Sequence, residues 1–296
     1  MKRNNLKFQT IVVATDLSEQ ASSALRYAQA IARLHASTLV VVHVIDPLAY
    51  AFPSGAPVFL AADSAAREEL ARIEHEVSAQ GIPVHSLIES GIVCERILQA
   101  VNDHHGDLLV LGTKGRSEAG RVALGTITRQ LLARARCPVL TVSPDADATL
   151  PWAGHWRRVL AATDFSAASL SALGLAHRLC HAQLLALHVT QCEEDNESPH
   201  RLERLRFLAP FNESHTVPVE HIVISGEPGT VIAHHARKFH ADLVVLGSPL
   251  DELTEADLPS STVLQVVSNV NCPVLCVPPA MPAPAEEEIR EVAFRC

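Results

Sequence analysis

Short apolar runs rich in Val, Ile and Leu alternate along the chain with longer segments whose apolar residues recur every three or four positions. The runs at 9–15, 38–44, 83–88, 107–112 and 138–143 read as strands. They are almost continuously apolar, as strands are when helices cover both faces of a sheet. Between the first two, Ala21, Leu25, Ala28 and Ala32 recur at helical spacing with Ile31 beside them. The charged segment 64–80 predicts a second helix. Segment 92–104 predicts a third, with Ile97, Leu98 and Val101 on one face, and 126–134 predicts a fourth. Strand and helix alternating in this way predict a parallel sheet of βαβ units.

The same pattern then occurs again. Thr10-Ile-Val-Val-Ala-Thr-Asp16-Leu-Ser18 is answered by Arg158-Val-Leu-Ala-Ala-Thr-Asp164-Phe-Ser166, 148 residues later. Val41-Val-His43-Val44 is answered by Ala186-Leu-His188-Val189, and Ser90-Gly91 by Ser225-Gly226. Asp107-Leu-Leu-Val-Leu-Gly112 matches Asp242-Leu-Val-Val-Leu-Gly247, and Cys137-Pro-Val-Leu140 matches Cys272-Pro-Val-Leu275. The offset falls from 148 to 145 and then to 135, so the second copy is shorter at its loops, where length changes are tolerated. The expected organisation is a domain over 1–145, a second over 155–280 and a Pro-rich, then acidic tail over 281–296. A proline-containing linker at 143–154 joins the two domains.

Composition narrows the function classes. A net charge of −9 argues against a general nucleic-acid binder, which needs a basic face to displace counterions. Seven scattered cysteines without a CxxC pair are no disulfide framework, and Cys272 and Cys276 on one strand would stand about 13 Å apart, too far for one metal. Met1-Lys2-Arg3 is followed by too short an apolar stretch for a signal peptide, and no run approaches a membrane span. A cytoplasmic location is expected.

In such sheets ligands bind beyond the strand C-termini, where helix N-termini present free N–H groups. Three segments of the first copy converge there: Ala14-Thr15-Asp16, the strand end at Val44, and the stretch from Gly112 to Thr126. Gly112 and Gly115 allow close backbone approach. Gly125 and Thr126 open a helix at the positive end of its dipole. Lys114, Arg116 and Arg121 add cations, so an anion such as a phosphate chain suits the loop. Neither GxxxxGK[ST] nor GxGxxG is present; the pattern is G-x2-G-x9-G-T.

With the Ala-Thr-Asp-x-Ser strand end before it and the Cys-Pro-Val-Leu strand after it, this motif resembles the universal stress protein family, over almost the whole chain as two domains in tandem. The resemblance implies two doubly wound, Rossmann-like α/β domains. Each would be an open five-stranded parallel sheet of order 3-2-1-4-5 with helices on both faces, and some members bind ATP. It implies that Asp16 contacts the ribose or a phosphate-bound Mg²⁺, and that Ala14, Thr15 and the Val44 backbone frame the adenosine. Gly112, Gly115, Gly125, Thr126, Ile127 and Thr128 would hold ribose and phosphates. It also implies that the strands near 138–143 and 273–277 join within one chain as a pseudo-dimer, with a homodimer of such chains open.

The second copy departs from the motif. Leu250 stands for the second glycine and Ser260-Ser261 for Gly-Thr, while Asp251, Glu252, Glu255 and Asp257 replace the cations. Carboxylates repel a triphosphate, so one nucleotide per chain is expected, in the N-terminal domain.

Plainer readings exist for each residue. Asp16 could cap a helix with Glu19 three residues on. Lys114 and Arg116 could be solvated loop charges. His43 and His188 read as core or rim residues, and the His104-His105 and His234-His235 pairs point about 100° apart on a helix, unsuited to one metal. No catalytic constellation is visible. A regulatory adenine-nucleotide binder in the stress response is therefore expected; a weak Mg-dependent ATPase or phosphotransferase, or a partner-binding module without nucleotide, are the alternatives.

Overall fold

The computed structural model describes residues 7–47, 55–113, 124–146, 156–191, 198–210, 217–248 and 261–279. The N-terminal half contains β1 (Thr10–Ala14), α1 (Ser22–His35), β2 (Thr38–Ile45), α2 (Gly55–Ser78), β3 (Val84–Ser90), α3 (Val93–Asp103), β4 (Leu108–Gly112), α4 (Thr126–Arg134) and β5 (Val139–Val142). The C-terminal half repeats the order with β6 (Trp156–Ala162), α5 (Ala167–Leu179), β7 (Cys180–Thr190), α6 (Ser198–Leu208), β8 (Val219–Ser225), α7 (Pro228–Phe239), β9 (Leu243–Gly247), α8 (Thr262–Asn269) and β10 (Val274–Val277).

All ten strands form one sheet in the order β3-β2-β1-β4-β5-β10-β9-β6-β7-β8. Each half is thus a 3-2-1-4-5 parallel sheet, as the resemblance implied. The halves meet where β5 and β10 run antiparallel, with Leu140 opposite Leu275. Side-chain bonds cross this seam: Thr141 Oγ1 donates to the Val274 carbonyl at 3.2 Å, and Ser248 Oγ to the Leu132 carbonyl of α4 at 2.9 Å. Alternate strand residues point to opposite faces. Ile11, Val13, Leu108, Val110 and Leu140 therefore pack under α1 and α2, while Val12, Leu109, Leu111 and Val139 pack under α3 and α4.

The repeated Asp of the Asp-Leu-x-Val-Leu-Gly motif is explained by the strand starts. Asp107 accepts the N–H groups of Gln9 and Thr10 (2.6 and 3.2 Å), and Asp242 those of Arg157 and Arg158 (2.7 and 3.0 Å). Each carboxylate thereby ties the entry of the central strand to its neighbour. Burial raises the pKa of both above the usual carboxylate value, against those hydrogen bonds.

Two boundaries differ from expectation. Helix α2 begins at Gly55, well before 64, with Pro57 in its first turn, where no intrahelical N–H is needed. Strand β7 follows α5 without a loop, starting at Cys180. Cys94, Cys180 and Cys276 are buried and Cys137 and Cys272 half-buried, all as free thiols; Cys192 and Cys296 lie outside the described residues, as does the tail. Desolvation pushes the Cys137 thiol up to about 11 and Cys272 and Cys276 up to about 12, so these three stay protonated and unreactive at neutral pH.

Candidate functional site

The central strands β1 and β6 stop short of their neighbours. Ala14 pairs with Val42 and Leu111, but β2 runs on to Ile45 and β4 to Gly112. The chain leaves β1 between strands reached by connections of opposite direction, the switch point where α/β sheets open a crevice.

The turn after β1 is held by its own polar residues. Thr15 N–H donates to the Val42 carbonyl at 3.0 Å. The Thr15 hydroxyl accepts the Leu17 N–H, and Asp16 Oδ1 accepts the Ser18 N–H, both at 3.0 Å. Leu17 lies at φ 60°, a left-handed conformation that is uncommon away from glycine. His43 Nδ1, from β2, lies 2.9 Å from the Thr15 carbonyl and fixes the turn from the other side. The short 3-10 turn that follows is capped by Ser18, whose Oγ accepts the Ala21 N–H at 3.2 Å, so the capping role belongs to Ser18 and not to Asp16.

The second copy reproduces this corner almost atom for atom. The Phe165 N–H reaches the Thr163 hydroxyl, the Ser166 N–H reaches Asp164 Oδ1, and His188 Nδ1 lies 2.8 Å from the Thr163 carbonyl. Phe165 sits at φ 66°. Burial works to raise the Asp164 pKa, but hydrogen bonds from Ser166 and Ser169 outweigh it and hold the carboxyl below its usual value. A repeated strained corner is a device of the fold, and His43 and His188 are part of it. Their matching offset in the repeat was the signal available in the sequence; their bond to the turn carbonyl was not.

On the other side of the crevice, β4 ends at Gly112 and the chain re-enters at Leu124. Lys114, Gly115, Arg116 and Arg121 fall outside the described residues. The loop ends are closed by two bonds: Gly125 N–H to the Thr113 carbonyl at 3.1 Å, and Thr128 Oγ1 to the Gly112 carbonyl at 3.0 Å. Gly125 is the N-cap of α4 and supplies no side-chain cap. Thr126 is exposed, Ile127 half-buried and Thr128 buried. Helix α3 likewise starts without a side-chain cap, at Ile92, which is 67% exposed.

The C-terminal counterpart is closed differently. At α7, Glu227 takes the place of Ile92, and its carboxylate accepts the N–H groups of Gly229 and Thr230 at 3.2 and 2.7 Å. Those bonds, the one with Thr230 first, lower its pKa. In the register that matches buried Leu131 and Leu132 to Val266 and Val267, Val263 replaces Thr128 and cannot tie down the strand-end carbonyl. A cleft of about 350 Å³ persists there, lined by Asp164, Gln191, Val189, Gly247, Thr262 and Val263 among others. The replacement residues Leu250, Asp251, Glu252, Glu255, Asp257 and Ser260 fall outside the described residues. Among the described residues no group of three metal-ligating side chains gathers, and no helix is long and apolar enough to cross a membrane.

Comparison with known proteins follows this geometry. The model of the "Universal stress protein family" matches residues 7–143 and again 155–278. A universal stress protein of Mycolicibacterium smegmatis is 26% identical over 294 residues, covering 91% of this chain and 97% of its own length. One from Thermus aquaticus is 36% identical over 137 residues, 46% of this chain and 98% of that protein. The crystal structure of a universal stress protein from Archaeoglobus fulgidus superposes with a TM-score of 0.77 at 21% identity, covering 93% of this chain and 99% of that one.

Proposed function

The chain belongs to the universal stress protein family, as two of its domains in tandem, and on that premise we propose that the N-terminal domain binds ATP or a related adenine nucleotide while the C-terminal domain does not. One observation carries the reading: α3 begins without a side-chain cap, at Ile92, whereas its counterpart α7 is closed by the Glu227 carboxylate; α4 and its counterpart α8 both begin without a side-chain cap. An uncapped helix start offers N–H groups and a positive dipole end to a phosphate; a start that already holds a carboxylate repels one.

In this reading Ala14, Thr15 and the Val44 backbone frame the adenosine, and Asp16 meets the ribose or a phosphate-bound Mg²⁺. Gly112, Gly115, Gly125, Thr126 and Ile127 hold ribose and phosphates through close backbone approach, with Lys114 and Arg116 adding charge. Thr128 contributes its N–H, because its hydroxyl already serves the Gly112 carbonyl. The role is nucleotide-linked regulation in the stress response, since no general base for water stands among these residues.

The test is ATP titration of Gly115→Val and Gly125→Val. Both substitutions are expected to abolish binding while thermal unfolding stays cooperative. Unchanged affinity in folded variants would remove the glycine motif from the account.

A further inference from the structure

The face of the sheet away from the nucleotide crevice carries a cavity of about 190 Å³ astride the seam between the two halves, between the C-terminal ends of α1 and α5. Its floor is four leucines, one from each of the four strands about the seam, β4, β5, β10 and β9: Leu108, Leu140, Leu275 and Leu243. Leu140 and Leu275 face each other in register across the antiparallel pair. Leu108 and Leu243 lie four residue steps apart along the strands and three strands apart, roughly 19 Å corner to corner. The floor is an elongated apolar diagonal.

The repeat sets Phe8 and Trp156 as equivalents at the two corners, while the basic residues beside them are not repeat equivalents. At the Leu108 corner stand Phe8, Lys7 and His35, with the Phe8 and His35 rings 5.1 Å apart. At the Leu243 corner stand Trp156, Arg178 and His181; His181 Nδ1 lies 2.8 Å from the Leu179 carbonyl. Among the described residues the lining contains four basic side chains and no carboxylate, in a chain of net charge −9. Asp107, behind the first corner, has its carboxylate turned to the Gln9 and Thr10 N–H groups. An apolar floor with a cationic group at each end complements an extended hydrocarbon chain bearing an anionic head.

We propose that this cavity binds an aliphatic carboxylate of the fatty-acid type, its chain along the leucine floor and its head at a cationic corner. A cationic side chain stands at either end, Lys7 or Arg178, and either can take the head. The site is independent of the nucleotide crevice, which opens beyond the strand ends and packs against the opposite core.

Trp156 lines the cavity and supplies the readout; a Trp152→Phe background leaves it as the sole tryptophan. Decanoate, below its micellar concentration, is expected to shift Trp156 fluorescence saturably and to bind more tightly than decanol, which has the same chain without the charge. Lys7→Glu and Arg178→Glu change exposed side chains, so the fold is retained. Each is expected to weaken decanoate about fivefold, and the pair to abolish its advantage over decanol. Equal binding of decanoate and decanol to the parent protein, an unchanged decanoate affinity in the double variant, or a fluorescence response that never saturates would each overturn the proposal.

Discussion

Gly247 and Thr128 show that a match in the repeat need not mark a site and a mismatch can mark a difference. Gly247 survives in the second copy, yet a Cβ there would lie 2.4 Å from the backbone nitrogen of Ser169, so packing of α5 against β9 is enough to require it. Its match with Gly112 is therefore no sign of a ligand. Thr128, by contrast, closes the glycine loop of the first copy with its hydroxyl, and Val263 stands in the second. Replacing Thr128 with Val keeps the shape and removes that bond to a strand-end carbonyl. The expected cost is about 1 kcal/mol of stability in denaturant melts, with ATP affinity reduced as the loop end loosens. The sequence displayed the glycines, the cations and Asp16. It hid what Thr128, His43 and Ser18 do, because each acts through a backbone atom brought close only by the fold.

Among the elements, the starts of α3 and α7 separate the two halves most clearly. Glu227 caps α7, and its folded-state pKa is lowered from 4.5 by the Thr230 and Gly229 bonds. A carboxyl with a depressed folded pKa contributes stability that is present above the unfolded value and lost as pH falls through the folded one. Loss of this cap in Glu227→Ala should cost at most about 1 kcal/mol at neutral pH, solvent screening the exposed carboxylate, and the gap between its melting curve and the parent's should close as pH drops below about 4.5. A gap independent of pH would mean the carboxylate is not the cap. Most strands were legible from their apolar runs, and α4 was placed to the residue by the Gly-Thr pair at its start. The start of α2 was not, because Gly55, Ala56 and Pro57 carry no apolar periodicity. Nor was the start of β7, where Cys180-His-Ala-Gln183 extends the strand ahead of the apolar run that signals it.

For the molecule as a whole, the seam turns two five-stranded sheets into one of ten and brings unequal halves into contact. Helix α4 links them: its first turn borders the crevice beyond β1 and β4, and its Leu132 carbonyl accepts the Ser248 hydroxyl at the exit of β9. The repeat in the sequence announced two domains, and the loop composition announced that they differ in charge. The leucine-floored cavity was invisible there, since Leu108 and Leu243 read simply as strand residues until the antiparallel pairing sets them at two ends of one surface. The central claim remains that only one of the two crevices takes a nucleotide. Isothermal titration of the full-length chain with ATP tests it most directly: a stoichiometry of one, falling to zero in Gly125→Val, is the predicted result, and two ATP per chain or a site that persists in that variant would contradict it.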